Sequence, residues 1–234
     1  MIGTVQPIAE IGKICKKHGL IFVVDGSQGA GANTMDMVNF GVDCYAFTGH
    51  KCLMGPTGIG GSYVREGIDI KHTRFGGTGV RSAYPGHLEE YPYRLEAGTM
   101  NLLGVAGLHA GVKWVMEKGV ENLHNQEMKL WEKLRLGIKD VPGVTLYCAE
   151  SVENHNPVMS ININGFEAGD VGTMLDVDYD IACRTGLQCA PKVHVGIGTI
   201  DIHGTVRLSI GAFNTEADID AAITAVKEIA ALKN

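Results

Sequence analysis

Apolar and polar residues recur along the chain in blocks that predict helices and strands in turn. The segment 7–18 places Ile8, Ile11 and Cys15 at helical spacing and predicts a helix. The continuous apolar run 20–24 follows it and predicts a strand that is buried on both faces of a parallel sheet. A helix followed by such a strand is typical of an α/β fold.

The alternation continues through the middle of the chain. Two further strands are predicted at 44–47 and 59–64, and two long helices at about 101–117 and 120–138. Residues 66–98 contain Gly-Gly-Thr-Gly and Tyr-Pro-Tyr and predict a long loop. Loops of this length in compact domains are usually functional or contact a partner.

The remaining part of the chain predicts a second, smaller domain. After Pro142-Gly143 the pattern indicates strand, strand, helix, strand, strand, helix. The last helix begins at the capping-box pattern 215–218. Its apolar stripe consists of Ile219, Ile223, Val226 and Ile229. We therefore expect a sheet-based domain over 1–115 and a small α/β domain over 116–234.

Composition and charge exclude several classes of function. Hydrophobic residues make up 45% and charged residues 20% of the 234 residues, which is typical of a soluble globular protein. A formal net charge of -6 provides no broad basic face for nucleic acid, and no apolar run is long enough for a membrane span. The six scattered cysteines form no CxxC pair, so neither a metal site nor a disulfide framework is predicted, and we expect a cytoplasmic protein.

Candidate chemistry lies at two predicted strand ends. Asp25 and Lys51 both follow strands, and ligands of open parallel sheets bind beyond the carboxyl ends of the strands. A lysine that condenses with an aldehyde and a carboxylate that keeps a pyridine nitrogen protonated are what pyridoxal 5′-phosphate (PLP) needs. Alone, each residue would be read as a surface lysine or a helix cap. Gln28, Thr48 and His50 beside them favour the functional interpretation.

Several motifs carry a family resemblance. The segments 24–28 (VDGSQ), 48–51 (TGHK) and 55–60 (GPTGIG) resemble the cofactor motifs of class V aminotransferases, in particular the cysteine desulfurases. The resemblance continues, in order along the chain, through 94–101, 184–190, 206–209 and 213–216. It implies part of a fold-type I PLP-transferase large domain, mainly a parallel sheet with helices, followed by a C-terminal small α/β domain.

The resemblance also implies roles for individual residues. In the family, a lysine at the position of Lys51 holds the cofactor aldehyde as an imine. The residues implied to bind the cofactor with it are Asp25 at the ring nitrogen, Gln28 at the ring oxygen, Thr48 and His50 at the phosphate, and Thr99 at the phosphate of a neighbouring subunit. The role of Thr99 implies a homodimer. Arg207, with Arg184 close by, is implied to bind the substrate carboxylate.

Cys189 decides the subclass that the resemblance implies. In cysteine desulfurases a loop cysteine accepts the substrate sulfur, so that L-cysteine becomes L-alanine, and the sulfur passes from the cysteine persulfide to an acceptor protein. The alternative for Cys189 is a buried structural cysteine, as we expect for Cys15, Cys44 and Cys148, and Cys52 is a weaker candidate nucleophile. At the level of function, the alternatives are a class V aminotransferase, a selenocysteine lyase, or a non-catalytic fragment that serves as an interaction domain.

Two departures from the family pattern affect these expectations. The family's chains are longer, and the part that carries the rest of the phosphate site corresponds to sequence before Met1. We therefore expect this chain to be the C-terminal portion of such a protein, with weakened PLP binding unless another polypeptide supplies the remainder. Leu187 and Gln188 stand where some relatives have histidines, which leaves the acid–base partner of Cys189 open.

Overall fold

The computed structural model describes residues 1–149 and 152–233, which divide into two compact units. One unit consists of Pro7–Val120, and the other joins Met1–Gln6 to Glu121–Asn234. The division differs from the expected boundary at 115, which falls inside a helix. The first residues join the C-terminal unit because their backbone pairs there: the Val5 N–H donates to the Asn154 carbonyl at 2.8 Å.

The unit Pro7–Val120 contains a three-stranded sheet and two long helices. Its elements are α1 (Ile8–Lys17), β1 (Val23–Asp25), β2 (Cys44–Thr48), β3 (Gly60–Val64), a short 3₁₀ turn (Tyr93–Leu95) and α2 (Leu102–Lys118). β1 and β2 are parallel, whereas β2 and β3 are antiparallel. Its core is formed by Phe22, Val24, Val42 and Tyr45, against which α1 packs Ile8, Ile11 and Cys15.

The first strand differs from its prediction. The apolar run 20–24 predicted a strand buried on both faces, but β1 begins only at Val23, and Leu20, Ile21 and Val23 are 58%, 64% and 65% exposed. A continuous apolar run fixes neither the ends of a strand nor the elements that cover it. Phe22 and Val24, which alternate with the exposed residues, are the ones that enter the core.

The second unit is an antiparallel sheet with helices packed on it. Its elements are α3 (Val120–Ile138), β4 (Val144–Tyr147), β5 (Val158–Ile163), α4 (Ala168–Tyr179), β6 (Arg184–Gly186), α5 (Pro191–Gly196), β7 (Thr205–Ser209) and α6 (Glu216–Ala231). The strand order is β4-β5-β7-β6, and every neighbouring pair is antiparallel. This order places the ends of β6 and β7 together, where the candidate cysteine loop begins.

Apart from α5, the helices described for this unit follow the predicted pattern. α6 begins at the predicted capping box, in which the Thr215 N–H donates to Asp218 Oδ2 at 2.8 Å and the Asp218 N–H donates to Thr215 Oγ1 at 3.4 Å. Ile219, Val226 and Ile229 of its stripe are buried. α5 was not predicted, because six residues are too few to show a helical period. None of the helices within 1–149 and 152–233 is long and apolar enough to cross a membrane.

Candidate active site

Asp25 lies at the carboxyl end of β1 as an ionised carboxylate. Its Oδ1 accepts a hydrogen bond from the Ser27 N–H at 2.9 Å. Hydrogen bonds from the side chain and the backbone of Ser27 lower the pKa of Asp25 below its ordinary value, and the positive charge of Lys51 lowers it further. The structure thus brings the predicted carboxylate and the predicted lysine close enough to interact electrostatically.

The loop that carries Lys51 is fixed by its own backbone. The Gly49 N–H donates to the Ile59 carbonyl at 2.9 Å, and the Met54 N–H donates to the Lys51 carbonyl at 2.9 Å. At Gly31, whose φ is +81°, an added Cβ would lie 2.5 Å from the Cys52 carbonyl oxygen. The turn that follows Asp25 and the loop of Lys51 therefore pack backbone against backbone, which holds the two functional side chains in register.

Helix α2 forms the wall behind this loop. A Cβ at Gly55 would lie 2.8 Å from Leu108 Cδ1 and 3.0 Å from the Gly49 carbonyl oxygen. The glycines around the lysine thus leave room for an apolar side chain of α2.

The remaining predicted cofactor residues of this unit fall into two groups. Thr48 Oγ1 and His50 Nδ1 lie 2.7 Å apart, so they form a polar pair next to Lys51. Gln28, on the turn after Asp25, and Thr99, just before α2, are exposed. Neither Gln28 nor Thr99 makes a side-chain hydrogen bond within the part of the chain that the structure describes.

Cys189 lies in the second unit, beside an arginine. Arg184 Nη2 donates to Cys189 Sγ at 3.1 Å, and Cys189 is exposed whereas the other five cysteines are partly buried. Burial raises the pKa of the Cys148 and Cys183 thiols above the ordinary value and so keeps them protonated. An exposed thiol next to a guanidinium is the environment in which a cysteine acts as a nucleophile.

Arg207 on β7 is the register partner of Arg184 on the neighbouring strand β6. Burial lowers the pKa of Arg207, the charge of Arg184 lowers it further, and Cys189 opposes the shift. The Arg207 Nε is buried and has no hydrogen-bond partner among the described residues. Arg207 is half-buried, and a guanidinium with an unpaired N–H suits a carboxylate ligand, because such a ligand supplies both the charge and the missing acceptor.

Sequence reasoning missed the role of Gln188, which it treated only as a departure from the family. The side chain of Gln188 is buried, and its Nε2 donates to the carbonyl oxygens of Thr205 at 2.7 Å and Arg184 at 3.2 Å. It also missed Ser27 as the donor to Asp25. An Asp-Gly-Ser turn could have indicated Ser27, because aspartate side chains often accept from the backbone two residues on. No sequence signal indicates the partners of Gln188.

Comparison with known proteins identifies the family of this chain. The family model described as aminotransferase class V matches residues 1–222. A probable cysteine desulfurase of Methanothermobacter thermautotrophicus is 32% identical over 99% of this chain and 58% of its own length. The apo structure of a cysteine desulfurase from Thermococcus onnurineus superposes with a TM-score of 0.85 at 33% identity, over 98% of this chain and 57% of the other.

A cysteine desulfurase structure from Escherichia coli has a TM-score of 0.84 at 29% identity, over 97% of this chain and 55% of the other. The chain thus spans a little more than half the length of the relatives that it matches. The family model, in contrast, covers nearly the whole chain, including both the lysine loop and the cysteine loop. This chain belongs to the class V aminotransferase family.

Proposed function

We propose that this chain is the lysine- and cysteine-bearing part of a PLP-dependent cysteine desulfurase, which converts L-cysteine to L-alanine and receives the sulfur on Cys189. The observation that carries the proposal is the contact between Arg184 and Cys189, because a thiol that accepts sulfur must be both accessible and anionic. The names of the relatives support the same activity. A transaminase would need no such thiol.

The residues around Lys51 fit PLP. The ionised Asp25 matches a protonated ring nitrogen, Lys51 matches the aldehyde, and the pair Thr48 and His50 offers donors for the phosphate. We assign the ring oxygen to Gln28, on the turn beside Asp25. When bound, PLP would withdraw electrons from the substrate α-carbon.

Substrate binding and sulfur transfer fall to the second unit. Arg207 would hold the substrate carboxylate with its guanidinium, with Arg184 adding positive charge. The thiolate of Cys189 would attack the sulfur of the substrate, so that an S–S bond forms and the C–S bond breaks. The electron pair stays on carbon, which takes up a proton to give alanine, and the persulfide of Cys189 then passes its sulfur to the thiol of an acceptor protein.

We also propose a cytoplasmic homodimer. The exposed position of Thr99 supports a contact with the cofactor phosphate of a second subunit, since its hydroxyl has no partner within the described residues of its own chain. The six free cysteines support a reducing compartment.

The test is to supply the purified chain with PLP, L-cysteine and a reductant, and to measure alanine, sulfide and the mass of the Cys189 peptide. We expect alanine and sulfide in equal amounts and, without reductant, a mass increase of one sulfur atom on Cys189. Cys189→Ala should reduce sulfide release to background, whereas Cys52→Ala, which removes the other candidate nucleophile, should not. Borohydride should attach PLP to Lys51 and not to the Lys51→Ala variant.

Other outcomes would identify the alternatives. If Cys189→Ala leaves amino-group transfer intact and no sulfide is formed by either protein, the chain is an aminotransferase. Release of selenide but not sulfide would indicate a selenocysteine lyase. If PLP binds no better to the parent chain than to Lys51→Ala, the chain serves as a non-catalytic interaction domain.

A further inference from the structure

The loop that presents Cys189 has a backbone that its sequence does not favour. Gln188 has a φ of +48° and Cys189 a φ of +61°, so two consecutive non-glycine residues are left-handed. Few such residues adopt this conformation, and those that do are usually held by their surroundings at functional sites. One backbone hydrogen bond closes the turn, from the Ala190 N–H to the Leu187 carbonyl at 2.8 Å, and a buried side chain ties the turn to the sheet.

The side chain of Gln188 anchors the loop. It is 8% exposed, and its amide reaches two strands at once, through the Arg184 carbonyl on β6 and the Thr205 carbonyl on β7. Thr205 is fully buried, and its hydroxyl also lies within 3.4 Å of Gln188 Oε1. An amide that satisfies partners on both strands fixes the direction of the chain at the residue that follows, which is Cys189.

The anchor and the nucleophile form a closed ring of contacts. The Gln188 amide holds the backbone of Arg184, and the guanidinium of the same Arg184 donates to Cys189 Sγ at 3.1 Å. Cys189 is joined to Gln188 by the peptide bond, which completes the ring. Release of the amide would free the thiol from its arginine.

We propose that Gln188 is the positioning residue of the nucleophile, which holds the Cys189 thiol against Arg184. The inference deepens the proposed desulfurase function and rests on it for the role of Cys189. The position of the thiol can nevertheless be tested by its reactivity, without turnover of a substrate. A glutamine that only filled space in the core would contribute to stability and leave the reactivity of Cys189 unchanged.

The test is the rate at which iodoacetamide alkylates Cys189, followed across the neutral pH range by mass spectrometry of the Cys189 peptide. In Gln188→Asn the amide is one methylene too short to reach both strands, although asparagine tolerates a left-handed backbone. We expect the rate at neutral pH to fall roughly three- to tenfold, because the thiol is no longer held against its arginine. Gln126→Asn is the matched control, because Gln126 also donates to a backbone carbonyl, that of Ala212, but on an exposed helix surface.

Two further variants make the result decisive. Gln188→Gly removes the anchor and relieves the left-handed strain, so it should fold and show the same loss. In the Arg184→Met background, Gln188→Asn should lower the alkylation rate no further, because the contact it maintains is already absent. Parental alkylation rates in folded Gln188→Asn and Gln188→Gly would overturn the proposal, as would the failure of both variants to fold.

The two proposals can fail separately. If the parent chain forms no alanine from cysteine while alkylation of Cys189 still depends on Gln188, the desulfurase activity is wrong and the positioning role stands. If the parent chain releases sulfide and Gln188→Asn leaves both the alkylation rate and the sulfide release unchanged, the positioning role is wrong and the desulfurase activity stands.

Discussion

At the scale of single residues, the candidate site depends on positions that bring backbone segments together. Gly31 has a φ of +81° and lies against the carbonyl of Cys52. Cys52 is the residue that follows Lys51 in the sequence. Two demands therefore meet at Gly31: a left-handed backbone and the absence of a Cβ. Either demand alone favours glycine. Together they indicate that Gly31 supports the lysine loop by direct backbone packing.

We expect Gly31→Ala to destabilise the first unit and to displace the loop of Lys51. The methyl group would collide with the Cys52 carbonyl and would also be strained by the positive φ, which together cost about 2 kcal/mol or more. The measurement is the free energy of unfolding in urea, combined with borohydride trapping of PLP on Lys51, and we expect both to fall.

Gly19→Ala is the control for this substitution. Gly19 has a similar φ of +63°, but nothing lies within 4 Å of an added Cβ. It should therefore show the conformational cost alone and leave PLP trapping unchanged. If the two variants lose equal stability and trap PLP equally well, the close approach at Gly31 does not support the lysine loop.

At the scale of elements, local signals account for the helices better than for the strands. The predicted helix 120–138 coincides with α3, and α6 begins at the capping box read from the sequence, because periodicity and caps are properties of neighbouring residues. The bounds predicted for β1 were wrong, because its uniformly apolar run carries no signal for where the strand begins. The partners of Gln188 were not predictable either, because only the pairing of β6 with β7 brings them to its amide.

The capping box of α6 gives a prediction at this scale. We expect Thr215→Ala to lower the free energy of unfolding by about 1 kcal/mol, since the Asp218 N–H loses its acceptor at the helix start. Thermal and urea unfolding of the purified variant provide the measurement.

Thr224→Ala, in the middle of the same helix, is its matched control. Thr224 is exposed and its hydroxyl donates to the Asp220 carbonyl one turn earlier, so its loss exposes no unpaired helix amide. Alanine also has the higher helix propensity, and we expect unchanged or slightly increased stability. Equal losses at the two positions would mean that the cap contributes nothing specific.

At the scale of the whole molecule, sequence motifs indicate which residues belong to a candidate site, whereas sequence patterns do not indicate what buries the strands that carry it. The pairing of β1 with β2 brings Asp25 near Lys51, and Arg184 on β6 contacts Cys189, but the roles assigned to these residues stay predictions. Burial is a property of the entire assembly, and the exposed Val23 shows that a sequence pattern cannot state what covers a strand. The same applies to the titration of buried acids, which depends on distant parts of the chain.

Glu127 on α3 provides the prediction at this scale. Burial raises the pKa of Glu127 to about 7. Because the unfolded chain releases this proton near pH ~4.5, the folded state binds more protons between the two values. The contribution of Glu127 to stability is therefore most favourable at acidic pH and is lost as the pH rises towards 7.

Glu127→Gln removes this dependence, since glutamine stays neutral at every pH. We expect its unfolding temperature to match that of the parent chain in acid and to exceed it increasingly up to about pH 7, beyond which the difference should be constant. Thermal unfolding across this range provides the measurement, with the exposed carboxylate variant Glu66→Gln as the control that should show no such trend. The opposite outcome is an advantage in unfolding temperature of Glu127→Gln over the parent chain that shrinks as the pH rises. It would show that the folded protein stabilises Glu127 as a carboxylate and that burial does not govern its titration.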